Sequence, residues 1–144
     1  MTSMPISWGL DRLDQEDLPL DSRFNTKFNG QDSNIFIVDS GIDTTHIEFQ
    51  GSDRVVRNLF DVYSNEPPPD NDFVGHGTHT AATAAGAYAG VAPGANVYGV
   101  RVLDENGAGT DVEIIKGLSF VLDWCVLPFT GCALCASVFR SYPL

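Results

Sequence analysis

Positive charge is scarce in this chain. Eight Lys and Arg stand against 19 Asp and Glu, for a net charge of −11. Such a surface repels polyphosphate, so the composition argues against a nucleic-acid partner. Long apolar runs are missing too. The longest, about residues 126–139, falls short of the roughly 20 residues that cross a bilayer and contains Pro128 and Gly131, so no membrane partner is expected. The first eight residues, Met-Thr-Ser-Met-Pro-Ile-Ser-Trp, have neither the basic nor the apolar segment of a secretory leader, and the compartment stays unassigned. Cysteine is limited to Cys125, Cys132 and Cys135. An odd number leaves at least one thiol without an intrachain partner. The lone Cys-x-x-Cys lacks the second ligand pair of a zinc site and the strand–helix setting of a redox motif. No Gly-x-Gly-x-x-Gly turn follows the first strand and no Gly-Lys-Ser/Thr loop occurs, which weighs against a nucleotide-binding domain.

What is present is globular. The chain is 43% hydrophobic and 10% aromatic, and its 144 residues suit one domain with a core. Residues 1–33 are polar and irregular, and Asp11, Asp14, Glu16, Asp17 and Asp21 read as a solvated acidic face. Residues 34–38 form a short β-branched run that predicts a buried parallel strand, and 54–63 a second strand or extended segment. The three prolines within 66–72 predict an exposed loop. A helix is expected over 76–87, where alanines give high propensity and a slim profile. A strand follows at 96–103, a loop at 106–109, and a helix capped by Thr110 or Asp111 that runs to about Trp124. The apolar face of that helix would hold Ile114, Ile115, Leu118, Val121 and Leu122. Strand, helix, strand, helix predicts an α/β fold, a parallel sheet flanked by helices.

Sites in such sheets form beyond the carboxyl ends of the strands. Asp39 sits at one such end. His76 opens a helix between Gly75 and Gly77, where backbone can approach closely. A carboxylate facing an imidazole fixes its tautomer and lets its other nitrogen accept a proton. Taken singly, an Asp at a strand end is an ordinary cap or surface group, and a His near a helix start is an ordinary structural residue. The joint pattern carries the reading. His79 lies three residues after His76 on the same helix face, but no Glu is near it to make His-Glu-x-x-His, so it is read as structural rather than a metal ligand.

Ile37-Val38-Asp39-Ser40-Gly41-Ile42-Asp43 and Gly75-His76-Gly77-Thr78-His79-Thr80-Ala81 resemble the aspartate and histidine blocks of the subtilisin family of serine proteases (subtilases, peptidase S8). Trp8-Gly9-Leu10-Asp11-Arg12, residues 90–95, residues 102–109 and Ile114-Ile115-Lys116-Gly117-Leu118 resemble its proteinase K-like branch. The resemblance spans about residues 6–124. It implies a subtilisin-like α/β fold that is incomplete: residues 1–124 as the N-terminal part of a peptidase domain, 125–144 as a tail without counterpart. It implies Asp39 and His76 as catalytic, and Gly107, Ala108 and Gly109 as an edge strand beside an extended polypeptide substrate. Small residues there leave room for an added strand, while an ordinary connecting loop is the equal alternative from the residues alone. It also implies that His79 is packed and that His46 is structural. Calcium is admitted by the resemblance without a specific site, and no other cofactor is called for. Relatives are commonly secreted. The family's nucleophile block, Gly-Thr-Ser-x-Ala, does not occur in the 144 residues, and Ser40, Ser137 and Ser141 sit in no such turn. The expectation is therefore a serine-type endopeptidase truncated before its oxyanion Asn and nucleophilic Ser, inactive alone and of marginal stability. The alternative is a non-catalytic, pseudoprotease-like module that binds peptide or protein.

Overall fold

A computed structural model describes residues 7–51, 53–64, 69–125 and 132–136, the last stretch by its backbone alone. A single turn of helix, α1 (Trp8–Asp11), precedes the strand β1 (Asn34–Asp39). A 3₁₀ turn at Ile47–Phe49 leads to β2 (Val56–Asp61). Then come α2 (His76–Ala85), β3 (Asn96–Arg101), α3 (Asp111–Cys125) and β4 (Cys132–Ala136). All strand pairs are parallel, in the order β2-β3-β1-β4. The α/β parallel sheet flanked by helices is thus the architecture the alternation of elements predicts.

The pattern of β1 explains its central place. A strand buried on both faces reads as an unbroken apolar run, and Phe36, Ile37 and Val38 are all fully buried. Ile37 faces the core formed with Ile42, Phe49, Val97 and the alanines Ala81, Ala82 and Ala85 of α2. Phe36 and Val38 face the opposite core, formed with Tyr98, Val100, Val102, Leu103 and Val121 of α3. One helix therefore covers each face. Phe36, Tyr98 and Trp124 meet with ring centroids 5.1–5.4 Å apart, adding aromatic contacts to the burial on the α3 side.

The register aligns the strand ends. Asp39 of β1 pairs with Arg101 of β3, which pairs with Asp61 of β2. All three lie at the carboxyl edge, and Arg101 Nη1 is 3.2 Å from Asp61 Oδ2.

Several expectations are corrected. β4 lies in the tail, to which the sequence reading gives no element, and it extends the sheet beyond β1. Asp11 is buried at 3% exposure rather than part of a solvated face; its Oδ2 accepts the Ser22 N–H. Ile115 and Leu122, expected on the packing face of α3, are 60% and 65% exposed. The Asp72 end of the proline-rich loop is half-buried, for reasons that belong to the site. Cys125, at the end of α3, is in a disulfide.

Candidate active site

β1 delivers Asp39 to the carboxyl edge with its side chain fully buried. Its carboxylate accepts the Ser40 N–H at 2.7 Å, and both of its oxygens lie 2.8 Å from His76 Nδ1. Its backbone carbonyl accepts the N–H of Val102 at 2.8 Å and of Leu103 at 3.3 Å, which ties the end of β1 to the exit of β3. A buried carboxylate can only accept, so Nδ1 of a neutral imidazole carries the proton and Nε2 is the basic nitrogen. The His76 side chain is 30% exposed.

The two glycines that flank His76 serve different ends. Gly75 caps α2 in the left-handed region, φ +84°, with nothing near its missing side chain. Gly77 has an ordinary helical place, but a Cβ there would lie 2.1 Å from the Gly41 carbonyl oxygen and 3.2 Å from Asp39 Cβ. The aspartate turn crosses the first turn of α2 at that point, and only a bare backbone fits.

Two polar residues that the sequence reading passed over hold this crossing. Asn58, buried in β2, accepts the Ile42 N–H at 3.0 Å and donates to the carbonyls of Ile42 at 2.7 Å and Pro69 at 2.9 Å. It reaches over Gly99 of β3, where a Cβ would sit 2.0 Å from its Oδ1. An Asn and an isolated Gly inside two apolar strands were the available signal. Asp72 is the second. Burial alone would raise its carboxyl, but hydrogen bonds from the Thr78 N–H and hydroxyl, the Gly75 N–H and Ser40 hold it below the usual carboxylate range. A carboxyl depressed in the folded state adds stability above its unfolded pKa and withdraws it as pH falls through the folded value. Asp104 and Glu113, both lowered, act in the same direction. The thermal midpoint is expected to drop below about pH 4, and a midpoint flat to pH 2 would contradict this.

Gly107, Ala108 and Gly109 lie beyond the carboxyl end of β3, outside any assigned strand. The loop abuts the approach to α2: a Cβ on Gly107 would lie 3.4 Å from Val74 Cγ1. Asp104 braces it, its N–H donating to the Ala108 carbonyl at 2.8 Å and its Oδ1 accepting from Asn106 and Ala108 N–H at 2.8 and 2.9 Å. Tyr63 braces it from outside. Its hydroxyl lies 3.1 Å from the Val102 carbonyl and 3.4 Å from that of Ala108, and burial, with Glu113 beside it, pushes its pKa up to about 12. Tyr63→Phe is expected to speed amide exchange at Gly107–Gly109 about fivefold, one hydrogen bond's worth, and to leave β1 unchanged. An unaltered loop would show that Asp104 suffices.

His46 caps the 3₁₀ turn, its Nδ1 accepting the Glu48 N–H at 3.3 Å, as a structural residue should. His79 is exposed, not packed. With Asp43, His46 and Glu48 it lines an open depression of about 490 Å³. Among the described residues no group of three or more His, Cys, Asp or Glu is arranged to hold a metal ion, and no helix is long and apolar enough to cross a membrane.

An imidazole whose Nδ1 is held by a buried carboxylate, at the carboxyl edge of a parallel sheet, has the arrangement of the general base in acyl-transfer hydrolases. The family profile "Peptidase_S8: Subtilase family" matches residues 30–125, and the chain belongs to that family of subtilisin-like serine proteases. It is 40% identical over 114 residues to an alkaline serine exoprotease A of Vibrio alginolyticus, covering 79% of this chain and 21% of that protein. It is 40% identical over 124 residues to an extracellular serine proteinase of a Thermus strain, covering 86% of this chain and 29% of that one. The crystal structure of a cold-adapted subtilisin-like serine proteinase superposes with TM-score 0.76 at 38% identity, over 83% of this chain and 42% of its own. The chain thus spans between a fifth and a third of the length of these two curated relatives.

Proposed function

We propose that this chain supplies the acid–base part and a substrate-binding edge of a subtilisin-type serine endopeptidase. The observation that carries the reading is the 2.8 Å contact between His76 Nδ1 and the fully buried Asp39 carboxylate. In this reading Asp39 orients the ring and balances the imidazolium. Nε2 of His76 takes the proton of a serine hydroxyl and returns it to the leaving amine. Gly107, Ala108 and Gly109 lie beside an extended polypeptide and pair with its backbone. The chemistry uses protein groups alone. Residues 1–124 are taken as the N-terminal part of the peptidase domain, which the family match over residues 30–125 supports from residue 30 onward, and residues 125–144 as the tail.

The 144 residues hold no Gly-Thr-Ser-x-Ala block, so they lack a nucleophile for the step that His76 would assist. By themselves they are expected to hydrolyse no fluorogenic peptide, and turnover blocked by phenylmethylsulfonyl fluoride would overturn that. The second reading is a non-catalytic module that holds extended peptide along Gly107–Gly109. A chimera separates the two. Residues 30–125 replace the matching segment of the Thermus extracellular serine proteinase. Peptide hydrolysis by the chimera supports the protease reading; a folded, peptide-binding but inactive chimera supports the module.

A further inference from the structure

Asp72 belongs to neither sequence block, yet it touches both. Its Oδ1 accepts from Ser40 Oγ at 2.9 Å and from the Val74 N–H at 3.1 Å. Its Oδ2 accepts the Thr78 N–H at 2.8 Å and the Thr78 hydroxyl at 2.7 Å. Ser40 directly follows Asp39, and its Oγ also accepts the Gly77 N–H at 3.0 Å. Thr78 lies two residues after His76, in the first turn of α2, and its Oγ accepts the Asp43 N–H at 3.0 Å. Ser40, Asp72 and Thr78 thus lace the aspartate turn to the first turn of α2 by bonds that bypass the His76–Asp39 contact.

A helix start leaves N–H groups without intrahelical acceptors, and a capping side chain normally meets them. Here the cap is Gly75, whose positive φ disfavours any residue with a capping side chain, and it makes no side-chain bond. Asp72 supplies that acceptor from three residues upstream. As a carboxylate it forms charge-assisted bonds, roughly twice as strong as neutral ones, at the positive end of the helix.

We infer that Asp72 is a positioning residue for the acid–base pair: it holds the first turn of α2 against the 39–43 turn, so that His76 Nδ1 stays within reach of Asp39 and the ring keeps one tautomer. The inference rests on the acid–base reading and adds to it a side chain that touches no reacting atom.

The test is NMR of the ¹⁵N-labelled 144-residue chain, read at the His76 ring. The unmodified chain is expected to show a downfield, slowly exchanging Nδ1–H, and Asp39→Ala to lose it. Asp72→Ala is expected to lose it as well and to mix the two ring tautomers, while His79 and the amides of α2 keep their shifts. Asp72→Asn keeps an acceptor for Thr78 and can donate to Ser40 Oγ, so it is expected to retain the resonance. A merely structural role would move His76 and His79 together and would not be rescued by Asn. An Asp72→Ala chain with folded α2 and an unchanged Nδ1–H resonance overturns the inference. Should Asp72→Ala fail to fold, Ser40→Ala decides: Nδ1–H exchange at least about fivefold faster supports the clamp, and an unchanged rate overturns it. A missing resonance in the unmodified chain would sink the acid–base reading itself. A resonance that depends on Asp39 but not on Asp72 would sink only the positioning role.

Discussion

In the active chimera, His76→Ala is expected to remove about 2 × 10⁶ of turnover and Asp39→Ala about 3 × 10⁴; these are the values of subtilisin itself, carried to the matching residues. The inequality has a physical origin. Without His76 nothing at the site takes the serine proton. Without Asp39 the ring remains but loses the partner, 2.8 Å from its Nδ1, that selects its tautomer. Asp39→Asn is the sharper variant. Its amide can turn an N–H toward Nδ1, which drives the ring proton to Nε2 and blocks the basic nitrogen, so a loss of about 10⁴ is expected with little change in KM. The measurement is kcat for a fluorogenic peptide in each variant. A loss below tenfold for His76→Ala would remove this residue from the chemistry.

The second large effect is on folding. Gly77→Ala places a methyl 2.1 Å from the Gly41 carbonyl oxygen. The obstacle is backbone, held by Asn58 through Ile42 and by the Ser40–Asp72 clamp, so neither side gives way easily. Overpacking against a yielding neighbour costs about 1–3 kcal/mol; here about 3 kcal/mol or more is expected. That corresponds to a thermal midpoint lower by roughly 10 °C or more, out of a total stability of only about 5–15 kcal/mol. Gly75→Ala is the control. It meets nothing within 4 Å and bears only the cost of its left-handed backbone, about 1–2 kcal/mol. Equal midpoints for the two variants would show that the aspartate turn moves aside freely.

The regular elements were legible because their signals are local. β1 holds an unbroken apolar run, β3 is rich in valine, α2 is alanine-rich, and Asp39 and His76 stand inside contiguous blocks. Boundaries shifted by one or two residues at most elements. What the sequence hid depends on distance. Asp72 reaches Ser40 across 32 residues and Tyr63 reaches Ala108 across 45, and nothing near either residue marks the partner. Asp72 also follows a proline run, where a carboxylate reads as solvated. The burial of Asp11 is hidden for the same reason, being set by a fold-back onto Ser22 that composition does not register. In α3 the apolar stripe is wider than the surface it covers, so Ile115 and Leu122 matched the helical period and still face outward. β4 is a short segment of Cys, Ala and Leu with no β-branched residue, too weak a pattern to suggest a strand without β1 beside it.

The carbonyl of Asp39 accepts two N–H groups, from Val102 and Leu103. Every residue has such a carbonyl, and every residue but proline such an N–H, so this joint between the Asp39 turn and the 104–109 loop survives any other change of side chain at either end. On the proposed function, selectivity for what lies along the loop would drift by substitution at residues 104–109 without detuning the His76–Asp39 pair. On that reading the part that chooses and the part that reacts are mechanically coupled but genetically separable.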